Sequence, residues 1–284
     1  MTMQKLELFD ETFDPYRIES YQLSVQASLN GFSFCVMDVV RNQYIALVSI
    51  PFDFPVNNTE EWPDRLQDVV NAYPWLSGEF KKVLFCYESP ANTIVPKAFF
   101  EPDEAQQLLK TIHPIDTLDE IWYNDFQNDL VSIFSIPSTL ITNWLKIQKR
   151  TKAYAFAHPA LCFHQLSSDS RGCATITLTL SSKFSVVIVS EASKLQHCGS
   201  FEAQTSEDIV YHLMNIAQSL KIPTNSTDIK LLGDISPWEN LELLIGRFFH
   251  SGKQASTLDQ NHFSYLLQKY KGKYANLFNL TLCE

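Results

Sequence analysis

The sequence predicts an α/β protein built as two copies of one unit, a three-stranded meander followed by helices that alternate with further strands. Three observations predict it. A strand–turn–strand pattern closes on Phe32-Ser33-Phe34-Cys35-Val36-Met37 and again, half a chain later, on Phe184-Ser185-Val186-Val187-Ile188-Val189. Each meander continues into a third strand-like run and then an amphipathic helix. The 284 residues, 45% hydrophobic and 13% aromatic, supply a sizeable core. Consecutive hairpin-linked strands followed by alternating helices and strands form a mixed sheet with helices on its faces. The expected organisation is an N-terminal lead-in over 1–16, a first lobe over 17–157 and a second over 158–284. Each lobe is expected to hold a mixed five-stranded sheet, the two facing each other across a cleft.

In the first half, Leu23, Val25, Ala27 and Leu29 alternate with polar residues, the period-2 signature of a half-buried strand. Asn30-Gly31 follows, a hairpin signal because both residues tolerate positive φ. Phe32 to Met37 is the return strand. Arg41-Asn42 turns the chain, Tyr44 to Ile50 is a third strand, and Pro51 and Pro55 end it. Thr59 to Tyr73 reads as a helix with Leu66, Val69, Val70 and Tyr73 on one face. Lys82 to Tyr87 is a short apolar strand. Pro102 opens a helix with Ala105, Leu108, Leu109 and Ile112 inward. Asp129 to Ile136 reads as a strand, and Pro137 opens a helix burying Leu140, Ile141, Trp144 and Leu145. Tyr154 to Ala157 is a strand, and His158 to Leu166 a helix.

The second half repeats the order. Ala174, Ile176, Leu178 and Leu180 alternate with threonines, Ser181-Ser182-Lys183 turns the chain, and Phe184 to Ser190 returns. Leu195 to Glu202 is the third strand. Thr205 or Ser206 caps a helix whose first turn carries Glu207 and Asp208, charges that suit its positive end. Ile229 to Leu232 is a strand, Gly233 a turn, and Pro237 starts a helix with Leu241, Leu244, Ile245 and Phe248 inward. The polar stretch from Ser251 to Asp259 reads as a loop and His262 to Tyr270 as a last helix.

Formal net charge is −10, which argues against nucleic acid as a partner, because phosphate backbones bind basic faces. No apolar run is long enough to span a membrane, and Met1 to Asp14 lacks the basic and apolar regions of a signal peptide. A cytoplasmic location is therefore expected. Cys35, Cys86, Cys162, Cys173, Cys198 and Cys283 form no C-x-x-C pair and read as reduced thiols. The sequons at Asn57, Asn225 and Asn279 read as plain surface asparagines in a protein that is not exported.

The run Leu23-Ser24-Val25-Gln26-Ala27-Ser28-Leu29-Asn30-Gly31-Phe32-Ser33-Phe34, with Gly199 to Leu220 and Leu232-Gly233-Asp234-Ile235, resembles a domain-of-unknown-function family of Bacteroidetes-type bacteria with no assigned activity. The resemblance implies an actin-like ATPase fold, which is ribonuclease H-like and internally duplicated. Active members of that superfamily hold phosphate and hydrated magnesium with an Asp-x-Gly-Thr type loop in the first hairpin. On the matching positions stand Gln26, Ser28 and Leu29, beside Asn30 and Gly31. Gln26 has no charge for magnesium, Ser28 adds a Cβ, and Leu29 offers no hydrogen bond. The second loop matches Thr177, Thr179, Leu180, Ser181 and Ser182, with neither acid nor glycine. The adenosine turn keeps one glycine, Gly233, followed by Asp234. The expectation is a retired ATPase fold with no catalytic residues, no resident cofactor, ATP and magnesium disfavoured, and an unidentified protein as partner. The alternative is a nucleotide- or small-ligand-binding enzyme using the interlobe cleft through Ser28, Asn30, Ser181, Ser182 and Asp234. Filament assembly is a third reading.

Other constellations are weaker. His158 and Cys162, four apart, share one helix face and make a possible metal edge, but His164 lies on another face and no further ligand is in sequence range. No metal site is expected. Asp116, Asp119, Glu120, Asp125 and Asp129 around Trp122 and Tyr123 read as a solvated loop. Phe52 and Phe54, between Pro51 and Pro55, read as core packing with a docking spot as the alternative.

Overall fold

The computed structural model describes residues 5–127, 129–167, 174–192, 194–255, 257 and 262–283. The chain divides into two units, Met1–Phe156 with Asp259–Lys269, and Ala157–Leu258 with Tyr270–Glu284.

In the first unit, the segment read as a lead-in contains a strand, β1 (Leu6–Phe9). Its period-2 signal is too short to stand out. It pairs antiparallel with the third meander strand, and Phe9 and Phe13 pack on the core. The meander itself is β2 (Tyr21–Ser28), β3 (Gly31–Asp38) and β4 (Gln43–Pro51). Asn58 caps a 3-10 turn at Thr59–Glu61 through a capping box, and α1 (Trp62–Ala72) follows. Next come β5 (Lys82–Tyr87), β6 (Asn92–Pro96), α2 (Ala105–Lys110), β7 (Asp119–Phe126), β8 (Leu130–Pro137), α3 (Ser138–Ile147) and β9 (Thr151–Ala155).

The acidic stretch expected to be a loop is therefore largely strand. β7 pairs antiparallel along its whole length with the apolar, buried β8, whose register holds the carboxylate-rich strand half-buried at the sheet edge. Asp125 pairs with Lys97 at 2.9 Å. β6, β8 and β7 form a separate three-stranded sheet covered by α2.

The main sheet of this unit runs β1-β4-β3-β2-β5-β9. Alternation places Leu23, Val25 and Ala27 of β2 and Phe32, Phe34 and Val36 of β3 in the core under α1 and α3. Trp144 of α3 lies between Phe32 and Phe85, each ring centroid 5.6 Å away. Phe52 and Phe54 divide the two readings made of them. Phe52 packs against Trp62 with Arg65 over its ring, while Phe54 is exposed.

The second unit comprises α4 (Ala157–Ser167), β10 (Thr175–Leu180), β11 (Phe184–Glu191), β12 (Lys194–Glu202), α5 (Ser206–Ser219), β13 (Asp228–Leu232), α6 (Leu241–Phe248) and β14 (Ser251–Gln254). Thr205 caps α5 through a capping box with Asp208. The sheet order is β12-β11-β10-β13-β14, the same order and strand senses as β4-β3-β2-β5-β9. Ile176, Leu178, Val187 and Val189 face α5 and α6.

Two stretches depart from expectation. Ser251–Gln254 is a strand because parallel pairing with β13 compensates for its weak local propensity. His262 to Tyr270 holds no α-helix. β15 (His262–Phe263) pairs parallel with β4, so the chain returns to the first unit and makes its main sheet seven-stranded. Phe263 lies against Tyr44 at 4.8 Å between centroids, burial that outweighs helical periodicity. The chain then enters α7 (Ala275–Phe278) and a 3-10 turn at Asn279–Cys283. Phe248, the last residue of α6, is expected inward but is 48% exposed; the buried phenylalanine is Phe249, just past the helix end, where the chain turns extended. No helix among the described residues is long and apolar enough to cross a membrane.

Candidate functional site: the two hairpins and the Gly233 turn

The first hairpin closes at the pair Ser28↔Gly31, with Leu29 and Asn30 at the tip. Neither tip residue has positive φ, so Asn30-Gly31 forms the hairpin by a route other than the expected one. Gly31 is required for a different reason. A Cβ there would lie 2.6 Å from the Ile50 carbonyl oxygen of β4. Gly31→Ala is expected to cost about 1–3 kcal/mol, measured by urea unfolding, because backbone and not a flexible side chain must move.

The tip is tied down by its own chain. The Asn30 amide donates to Ser28 Oγ at 3.2 Å, and that hydroxyl donates to the Gly31 carbonyl at 3.3 Å. The Phe52 and Val56 amides donate to the carbonyls of Asn30 (2.9 Å) and Leu29 (2.8 Å). The Gln26 side-chain amide donates to Glu88 Oε2 at 2.8 Å. Glu88 follows β5, the parallel neighbour of β2, and sequence reading missed it. Its only local signal is an acid directly after an apolar strand.

In the second unit, Thr177 is fully buried and turned toward α4, with its hydroxyl 2.8 Å from His164 Nδ1. It sits mid-strand, away from the β10–β11 tip that carries Ser181 and Ser182. His164 Nε2 lies 2.8 Å from Ser190 Oγ. Burial, with Lys230 nearby, lowers the His164 pKa to about 4, so this ring is neutral at pH 7. At the tip, the Ser181 amide donates to the Phe184 carbonyl at 3.0 Å, and Ser182 is exposed. The described part of the tip carries no acid and no glycine.

Gly233 has φ +99°, and a Cβ on it would lie 2.6 Å from the Leu180 carbonyl oxygen. Its amide donates to the Gly272 carbonyl at 3.1 Å, and its carbonyl accepts from Gln254 Nε2 at 2.8 Å. Asp234 accepts from the Ser236 amide and hydroxyl at 3.0 and 2.6 Å and pairs with Lys273 at 2.7 Å. Burial alone would raise its pKa. The bonds from Lys273 and Ser236 outweigh burial and hold the carboxyl below its usual range. Pro237 and Trp238, beyond this turn, border a groove of about 530 Å³ that also includes Ser182, Lys183 and Glu202.

His158 and Cys162 share a face of α4, as their spacing implies, and Cys283 joins them. Cys35 and Cys86 are buried in β3 and β5, and none of the five described cysteines is in a disulfide. Cys173 lies outside the described residues.

These features define the class. Two units of one sheet topology, with hairpin loops and a glycine turn at matching places, make an actin-like ATPase fold. A structure from Bacteroides thetaiotaomicron described as a protein with actin-like ATPase fold and unknown function aligns with TM-score 0.81 and 20% identity, covering 96% of this chain and all of that one. The PilM-PilN type IV pilus biogenesis complex aligns with TM-score 0.63 and 11% identity over 94% and 99% of the two chains. The ethanolamine utilization protein EutJ from Carboxydothermus hydrogenoformans aligns with TM-score 0.52 and 7% identity over 98% and 93%. No curated protein matches the chain. The chain belongs to the family described as protein of unknown function, DUF3822, which matches residues 10–251.

Proposed function

We propose that this protein is a non-catalytic, cytoplasmic member of the actin-like fold that works by binding another protein. One observation carries the reading: the polar groups at its nucleotide-loop positions are engaged within the chain. Gln26 bonds Glu88, the Leu29 and Asn30 carbonyls accept from the segment after β4, and Thr177 is capped by His164. Asp234 is spent on Lys273 and Ser236. A phosphate or magnesium ion at these positions would have to displace each partner. A buried polar group left unmatched costs about 1–3 kcal/mol, so every displacement weakens nucleotide binding. The neighbour from a PilM-PilN complex shares the fold and supports the analogy with a protein-binding role.

Thermal unfolding with and without ATP and magnesium tests the non-catalytic part. Ligand at 100 times its Kd adds about 2.7 kcal/mol to stability, enough to move the midpoint by several degrees. We expect no shift. A magnesium-dependent rise would overturn the reading. Native affinity purification tests the second part, and the reading needs a reproducible protein partner.

A second reading, a small-ligand binder, is favoured by the groove of about 530 Å³ beside Ser182. It predicts a thermal shift with nucleotide that is independent of magnesium and is lost in Trp238→Ala.

A further inference from the structure

Helix α4 is unusual for its lack of a polar face. Every residue from Ala157 to His164 is buried. Within this run stand His158 and Cys162, exposed by only 2% and 8%, besides His164, which bonds Thr177 and Ser190. The i, i+4 spacing of His158 and Cys162 stacks them on one face, one turn apart. Packing brings a second thiol to them from the far end of the chain. The 3-10 turn at Asn279–Cys283 is anchored by the buried Leu280 and by Leu277 and Phe278 of α7 just before it. That anchoring delivers Cys283 to the pair. The donor atoms of His158, Cys162 and Cys283 all lie within 4.8 Å of one another.

We propose that His158, Cys162 and Cys283 bind a single thiophilic divalent cation of the zinc type. One nitrogen and two sulfur donors form a donor set that zinc prefers over magnesium or calcium. With zinc–sulfur bonds of about 2.3 Å and zinc–nitrogen bonds of about 2.0–2.1 Å, tetrahedral donors sit just under 4 Å apart. Gathered within 4.8 Å, the cluster is already close to that size. Three protein donors leave a fourth position to water or another ligand. The chemistry also fits the burial. Two thiolates in an apolar setting need a compensating charge, and the cation supplies it. A disulfide between the two cysteines would leave His158 without a role in the cluster. The bound ion would staple the C-terminal turn onto α4, independently of whether the nucleotide loops are active.

The test uses the full chain, stripped with chelator and kept reduced, with free thiols verified by mass spectrometry. Cobalt(II) is the probe. The expected result is thiolate-to-cobalt charge-transfer absorption with tetrahedral d–d bands, saturating at one cobalt per chain and abolished by added zinc. Cys283→Ser and His158→Gln should weaken binding at least tenfold, and Cys198→Ala, on β12, should leave it unchanged. Zinc should also raise the unfolding midpoint of the parent chain and leave that of Cys283→Ser unmoved. Circular dichroism establishes that each variant is folded, and Cys283, only partly buried, is the least disruptive of the three positions to change. No saturable thiolate bands in the reduced parent chain would overturn the proposal. So would bands that survive Cys283→Ser. A chain isolated with a Cys162–Cys283 disulfide that takes up no cobalt once reduced would also overturn it, identifying a redox pair instead.

Discussion

Trp144→Ala should lower the unfolding free energy of the protein by about 3–5 kcal/mol, the largest effect expected of any single truncation here. The indole is fully buried and lies between Phe32 of β3 and Phe85 of β5. Its Nε1–H donates to Thr151 Oγ1 at 3.0 Å, just where β9 begins. Truncation therefore removes a large apolar area, opens a cavity among rings too rigid to collapse into it, and leaves the Thr151 hydroxyl without a donor. Trp144→Phe separates these costs. It refills most of the volume and should recover more than half of the loss, while still lacking the N–H. Urea unfolding of the three proteins gives the comparison. Equal midpoints for the parent chain and Trp144→Ala would show that α3 does not stabilise the first sheet.

The second large effect is a loss of stability in mild acid that depends on His164. Folding lowers the pKa of this ring from 6.5 to about 4, because burial between α4 and the sheet disfavours the cation and Lys230 adds repulsion. The folded protein thus binds a proton less readily than the unfolded chain. The stability contribution is fully present above pH 6.5 and is lost as pH falls toward 4. A tenfold difference in proton affinity between the folded and unfolded chains corresponds to about 1.36 kcal/mol, so the loss approaches about 3 kcal/mol by pH 4. His164→Gln keeps hydrogen-bonding capacity toward Thr177 and Ser190 but cannot titrate. Its unfolding free energy should fall less steeply than the parent's between pH 6.5 and 4. Identical slopes would mean that other groups carry the acid sensitivity.

The pattern of elements was legible wherever hydrophobic periodicity was strong. β2, β3, β10 and β11 alternate cleanly, and α1, α3 and α5 repeat apolar residues on one face, so local sequence suffices. Short strands escaped it. β1, β6, β14 and β15 span two to five residues each, too few for a period to declare itself, and they exist because a neighbouring strand supplies their hydrogen bonds. β7 was hidden by its own acidity, since charge reads as solvent exposure, yet an edge strand of a small sheet can carry charge while half-buried and paired. At the candidate site, the absence of an acid from both hairpin loops, and of a glycine from the second, was plain from residue types. That Glu88 holds Gln26, that Thr177 faces His164, and that Lys273 neutralises Asp234 was not, because each pair joins segments distant in the chain.

By itself the sequence determined the duplication, the α/β class and the absence of acids from both hairpin loops, all of which are local properties of side-chain order and identity. Only the tertiary structure decided which polar groups satisfy one another and which strands complete each sheet. It alone decided that Cys283 meets His158 and Cys162. Those outcomes depend on strand register and on where the chain returns, and burial summed over many residues sets both.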